Sequence, residues 1–427
     1  MRVLMFGWEF PPHIAGGLGT ACQGLTRGLL HQGVDVTFVL PKLFGGEGEG
    51  CMRMLSAEDV GLRLGYTDLQ ELRGMLSLIA VDSYLMPYLS AIDVETLHTT
   101  PSTSQFTISH WASQQFRFSG SYGPSLMDEV ARYALVAAAI ARQQEFDIIH
   151  AHDWLTYLAG LAAKRITRKP LVVHIHATEF DRSGEHVNQA VYDIERQGLH
   201  GADKIIAVSY RTRDTVINRY GIDPKKVIAI HNAVDFTADN LYDHITPPYP
   251  EKVVTFLGRI TFQKGPDYFV EAAHRVLQHD GNVRFVMAGS GDMLHRMILR
   301  VAQLGIADRF HFAGFLRGAE VDRMYRMSDV YVMPSVSEPF GITPLEAMRN
   351  LVPVIISKQS GVAEVLRYAI KINFWDIDAM ADAIYGLLHY PALAEFFKRY
   401  GQQEVIALKW DSAALHIKQI YQDLLGQ

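Results

Sequence analysis

The chain has 427 residues, 48% of them hydrophobic and 20% charged, a length and composition that suit two globular domains without a disordered bulk. Its formal charge of -6 argues against nucleic acid as a partner, since nucleic-acid binders concentrate cations on one face. Two cysteines (Cys22 and Cys51) give no disulfide framework, no run of about 18 apolar residues exists to span a bilayer, and MRVLMFGWEFPP lacks the basic start of a signal peptide, so a cytoplasmic protein is expected.

The first unit reads strand (VLMF), glycine-rich loop (HIAGGLG), helix from Thr20 to Gln32 with Leu25, Leu29 and Leu30 on one face, then strand (VDVTFVL). The loop is not GxGxxG, so a dinucleotide fingerprint is absent. Gly16 and Gly17 either form a tight turn or let a ligand approach the backbone at the helix start. Residues 43–125 are irregular, and their Tyr84, Tyr88, Trp111, Phe116 and Phe118 suit a sugar acceptor or ordinary packing equally.

From Pro124 onward helices and strands alternate as in a doubly wound α/β sheet. At the C-terminal strand ends, where such sheets collect ligands, stand His150, His152 and Asp153, then His174, His176 and Glu179, then Ser209, then Asn232 and Asp235. Alternation puts both rings of each His-x-His pair on one face. No carboxylate or cysteine set with metal spacing follows them, so no metal is expected, and one member of each pair is assigned to the core.

The proline-rich HITPPYPEK, residues 244–252, marks a domain boundary, after which a second α/β run begins. In its first corner Arg259 and Lys264 bracket a loop that feeds a helix N-terminus, an arrangement suited to a diphosphate. Later, Val330 to Met333 reads as a strand and Pro334 to Gly341 as a loop. Thr343 offers an N-cap oxygen, Pro344 a tolerated first-turn proline, and LEAMRN a helix leading into strand VPVIIS. Amides from Phe340 through Gly341 and Ile342 to Thr343 would attract an anion. Glu338 and Glu346 beside such a site are costly unless they grip hydroxyls, which points to an anionic ligand that carries sugars. The tail is helical over 377–388, 392–399 and 412–425.

Glu338-Pro339-Phe340-Gly341-Ile342-Thr343-Pro344-Leu345-Glu346 resembles the Glu-x7-Glu motif of retaining glycosyltransferases of family four. HAHDW, VHIHATEFDR and the GR-x4-KG corner resemble further segments of the same family and of glycogen synthases. The resemblance implies an α/β GT-B fold: two facing Rossmann-like domains, 1–245 on the acceptor side and 246–405 on the nucleotide-sugar side, with 406–427 crossing back to the first. It implies a metal-independent, cofactor-free transfer from a nucleotide sugar to a carbohydrate acceptor. Catalytic roles fall to Glu338, His176, Arg259 and Lys264. Donor contacts fall to Gly16, Gly17, Phe340, Gly341, Ile342, Thr343, Glu346, Gly289 and Phe315, and Asp153 lies on the acceptor side. Starch and bacterial glycogen synthases carry Lys-Thr-Gly-Gly where this chain has Ile14-Ala15-Gly16-Gly17, which weakens any carry-over of their ADP-glucose preference. Glucan elongation is the leading expectation. Cell-surface polysaccharides, small-molecule acceptors and a catalytically silent nucleotide-sugar binder are the alternatives.

Overall fold

Short apolar runs separated by amphipathic helices build two parallel sheets in the structure, a computed structural model that describes residues 1–13, 16–47, 52–61, 72, 116–123, 125–234 and 249–426. The first domain runs β1 (Arg2–Phe6), α1 (Gly17–His31), β2 (Asp35–Leu40), β3 (Arg53–Ser56), α2 (Leu126–Gln143), β4 (Ile148–His152) and α3 (Trp154–Thr167). It continues with β5 (Leu171–Ile175), α4 (Glu179–Ser183), α5 (Gln189–Gly201), β6 (Lys204–Ala207), α6 (Tyr210–Tyr220) and β7 (Val227–Ala229). The second runs β8 (Lys252–Leu257), α7 (Pro266–Leu277), β9 (Val283–Ala288), α8 (Leu294–Gln303), β10 (Phe310–Gly314), α9 (Ala319–Arg326), β11 (Val330–Met333) and α10 (Thr343–Arg349). After it come β12 (Val354–Ser357), β13 (Ile370–Ile372), α11 (Ile377–His389), α12 (Pro391–Ala407) and α13 (Trp410–Leu425).

The strand orders are β3-β2-β1-β4-β5-β6-β7 and β10-β9-β8-β11-β12-β13. All paired strands run parallel. Helices cover both faces, which is why β1, β4, β5, β11 and β12 are buried almost throughout. Successive residues serve opposite cores: Leu4 and Phe6 pack with α2 and α3, whereas Val3 and Met5 pack with α1 and α13. The order in which strands are added reverses across β1/β4 in one sheet and β8/β11 in the other, and each reversal opens a crevice beyond the strand ends.

Helix α13 lies against α1 rather than on the second sheet. Two α1 glycines permit this: a Cβ on Gly24 would stand 2.2 Å from Trp410 Nε1, and one on Gly28 2.8 Å from the Trp410 carbonyl. His31 Nδ1 and Asp411 Oδ1, 2.9 Å apart, link the same helices.

Several local readings shift. Strand β3 falls in the stretch read as irregular, because four residues with a single buried position carry little pattern. Helix α1 starts at Gly17, ahead of Thr20, and α12 continues past Arg399 through Gly401, whose missing side chain admits Met348. Phe118 is buried edge-on to Tyr133, and Phe116 packs on the same core, so packing accounts for both. Tyr84, Tyr88, Trp111, Cys51 and Asp235 lie outside the described residues. Among the described residues, no helix is long and apolar enough to cross a membrane.

Candidate active site

The crevice of the second sheet is walled by the loops that follow β8 and β11. They run side by side because Val336 N donates to the Gln263 carbonyl at 2.9 Å and because Gly265, at φ +66°, has no Cβ to strike the Pro334 carbonyl 2.2 Å away. This brings together two residues 74 apart: Lys264 Nζ donates to Glu338 Oε2 at 2.5 Å. Ser335 Oγ donates to the same oxygen at 3.0 Å. Glu338 is 5% exposed, and its backbone is pinned through Glu338 N to the Gln359 carbonyl and Gly361 N to the Glu338 carbonyl. Arg259, on the same loop as Lys264, is exposed, with Nη2 held at 3.0 Å from Gln263 Oε1.

Gly341 turns at φ +99° directly under Glu338 Cγ. Phe340 is buried in the apolar core of the second domain, and its carbonyl accepts from Val362 N at 2.7 Å. The expected cap is corrected: Ile342 occupies the N-cap, no side chain caps α10, and the Thr343 hydroxyl instead accepts from Tyr331 OH at 2.8 Å. With seven residues, α10 has a small dipole. Glu346 lies half-buried on α10; burial raises its carboxyl pKa and Arg349 opposes the rise.

Gly289 has a packing reason of its own. It sits at φ +139°, and a Cβ there would lie 1.8 Å from the Gly258 carbonyl, so it lets the β8 and β9 corners touch. Phe315 stands 43% exposed beyond β10, with the Arg317 guanidinium 5.2 Å from its ring centre.

In the first domain, Asp153 takes a strained φ of +59° where β4 turns into α3. Its buried carboxylate accepts from His176 N at 2.6 Å and Ala177 N at 3.3 Å. Burial pushes that carboxyl up to about 6 against the pull of Arg182 and the two amides. Asp153 therefore fixes the end of β5, and with it His176, through the backbone. His176 is half-buried, and burial lowers its imidazole to about 3, which keeps it neutral. The assignment of one core histidine per pair agrees with β5, where His174 is buried and His176 half-buried, and is corrected for β4, where His150 and His152 are both buried because α1 and α13 close over that face.

Gly16, at φ -171°, adopts backbone open to any residue, and a Cβ on Gly16 or Gly17 would meet nothing within 4 Å. The first-turn amide of Gly19 in α1 is already taken by buried Glu9 Oε1 at 3.0 Å, while Tyr122 OH donates to Glu9 Oε2 at 3.2 Å. Sequence reasoning passed over Glu9, although a charge three residues after the apolar β1 run was a usable signal.

The two domains are stitched next to Glu338. Ser337 Oγ donates to Asp181 Oδ1 at 2.6 Å and accepts from Arg211 Nη2 at 3.2 Å. Tyr210 N and Arg211 N, in the first turn of α6, donate to the Glu364 carboxylate at 2.9 and 2.8 Å, and His231 Nε2 lies 2.7 Å from Glu364 Oε2. Burial pushes the Glu364 carboxyl upward, but the His231 bond and the two amides outweigh it and hold the group below its usual range. Since α4 follows β5 directly, the Asp181–Ser337 bond sets the strand end that carries His176 against the Glu338 loop.

The chain and its fold have known counterparts. Residues 243–404 match the model described as glycosyl transferases group 1, and residues 115–238 match glycosyltransferase family 4, so the two together span most of the chain. The chain belongs to the family-four glycosyltransferases. It is 28% identical to an uncharacterized glycosyltransferase of Methanocaldococcus jannaschii, covering 99% of this chain and 98% of that one. It is 23% identical to a glycogen synthase of Mycobacterium tuberculosis, covering 99% and 94%. Among solved structures, sucrose-phosphate synthase from Thermosynechococcus elongatus superposes over 100% of this chain and 99% of its own with a TM-score of 0.71 at 18% identity. As in other family-four glycosyltransferases, the fold is GT-B, two parallel α/β domains around a cleft.

Proposed function

We propose that this glycosyltransferase moves a hexose, glucose first among candidates, from a nucleoside diphosphate sugar to a carbohydrate acceptor with retention at the anomeric carbon and without a metal on the diphosphate. The observation that carries the reading is the Lys264–Glu338 contact at the β8/β11 reversal, a cation and a buried carboxylate placed where a phosphate and a sugar would meet. As the bond from C1 to the diphosphate oxygen breaks, Lys264 and Arg259 take up the charge that develops on the leaving group. Glu338 holds the sugar hydroxyls beside the developing oxocarbenium ion, and neutral His176 hydrogen-bonds the sugar from the other domain. Glu346 takes the ribose hydroxyls. The acceptor oxygen attacks on the face the diphosphate leaves, and its proton passes to the departing phosphate oxygen, so no enzyme-bound intermediate is required.

Glucan extension is the preferred acceptor reaction, supported by near full-length similarity to a protein named glycogen synthase. The test is incubation of the purified chain with UDP-, ADP- and GDP-glucose, with and without a maltooligosaccharide, reading nucleoside diphosphate release and product length. Release that falls about 100-fold or more in Lys264→Ala supports the reading. Equal release by wild type, Lys264→Ala and Glu338→Gln would refute it, and tight binding without release would identify a silent binder.

A further inference from the structure

Four imidazoles stand on one face of the first sheet, behind the cleft. His150 and His152 of β4, with His174 and His176 at the end of β5, occupy alternate positions of neighbouring strands, so all four rings point toward α1 and α13. The rings stack, with centroids 4.4 Å apart for His150/His152 and 5.2 Å for His152/His174. Three of them are 0–2% exposed. His150 Nε2, His152 Nε2 and both nitrogens of His174 have no hydrogen-bond partner among the described residues. Buried imidazole nitrogens rarely go unsatisfied, and so many in one place call for an occupant.

We infer that His150, His152 and His174 form a zinc site in the core of the first domain. One ring nitrogen from each of the three lies within 4.8 Å of the others. Zn–N bonds of about 2.1 Å put tetrahedral neighbours about 3.4 Å apart, so closure needs the rings to draw in by at most about 1.4 Å and to turn out of their stack until each lone pair points at the ion. Neutral imidazoles without a carboxylate suit zinc and exclude magnesium and calcium, which want oxygen. The outer partners are already in place. With Nδ1 as donor, His150 bonds Tyr421 OH at 2.5 Å and His152 bonds His176 Nε2 at 3.0 Å, and both arrangements leave the Nε2 lone pair facing inward. Buried Cys22 of α1 groups with His152 and His176 within the same 4.8 Å but not with His150 and His174, so its sulfur, next to the shared ligand His152, would have to shift toward the other two rings to act as a fourth donor.

The ion would touch neither donor nor diphosphate, so the inference is independent of the transfer chemistry proposed above. It would hold His152 Nδ1–H on His176 Nε2 and so leave His176 to meet a ligand through its other nitrogen.

The experiment uses the untagged full chain, produced with zinc or with cobalt and desalted, and reads metal content by mass spectrometry and the visible absorption of cobalt. One metal per chain, with the strong bands of four-coordinate cobalt, is expected. His174→Val should lose both, and the surface variant His13→Ala should keep them. Stripping wild type with dipicolinate should lower its melting temperature, and zinc should restore it. Substoichiometric metal in wild type, or cobalt bands that survive in His174→Val, would overturn the site. If His174→Val does not fold, the wild-type cobalt spectrum and the chelator response decide alone. Because these readouts record metal rather than turnover, this site and the proposed reaction fail separately.

Discussion

Truncating Lys264 to alanine leaves Glu338 in place with only the Ser335 hydroxyl on its Oε2. The side chains of the pair are 21% and 7% exposed, so the ion pair lies between two regimes. Breaking a fully buried pair costs about 3–5 kcal/mol, whereas an exposed one contributes under about 1 kcal/mol. With one-fifth of the lysine wetted, a loss of about 2–3 kcal/mol is expected for Lys264→Ala. Adding Glu338→Gln removes the stranded charge, so the double variant should recover part of that loss, a coupling of about 1–3 kcal/mol. Urea melts of wild type, both single variants and the double variant measure the cycle, and nucleotide release measured alongside should fall about 100- to 1,000-fold in each single variant. The reasoning fails if Lys264→Ala melts within about 0.5 kcal/mol of wild type with turnover intact, or if the two substitutions simply add.

Two glycines separate packing from ligand approach. Gly289→Ala drives a methyl to 1.8 Å from the Gly258 carbonyl at a positive φ and should cost about 3 kcal/mol or prevent folding, as circular dichroism will record. Gly16→Ala meets nothing within 4 Å and should leave the melting curve within about 0.5 kcal/mol of wild type while lowering donor turnover. The Glu364 latch carries a pH signature. Its folded carboxyl sits below the ordinary value of 4.5, so its stabilisation is complete above that pH and is lost as pH falls through the folded value. Glu364→Gln should cost about 1–2 kcal/mol in urea melts at neutral pH and flatten the stability profile on the acid side. Gly24→Val would push the Trp410 ring off α1, costing about 1–3 kcal/mol, with altered tryptophan emission and easier proteolysis ahead of α13.

The architecture was legible in the chain because its determinants are local. Apolar strands flanked by helical spacing specify doubly wound sheets, and a polar residue after such a strand lands at a ligand-binding edge. Lys264 and Glu338 could therefore each be placed at a strand end in advance, whereas their contact waited on the strand order that sets β8 beside β11. What the tertiary structure alone decided was whom each side chain meets. Asp153 stands at a strand end as the pattern requires, yet its carboxylate turns onto the β5 backbone. Thr343 gives up its capping role to Tyr331, and three histidines disappear beneath α1 and α13. Asp181, Ser337, Arg211 and Glu364 had no local signal, because their partners lie 126 to 156 residues away in the other domain. Periodicity reports the direction a residue faces and the strand end it occupies. Which loop or helix faces it there is set by domain docking and non-local packing, which no short stretch of sequence encodes.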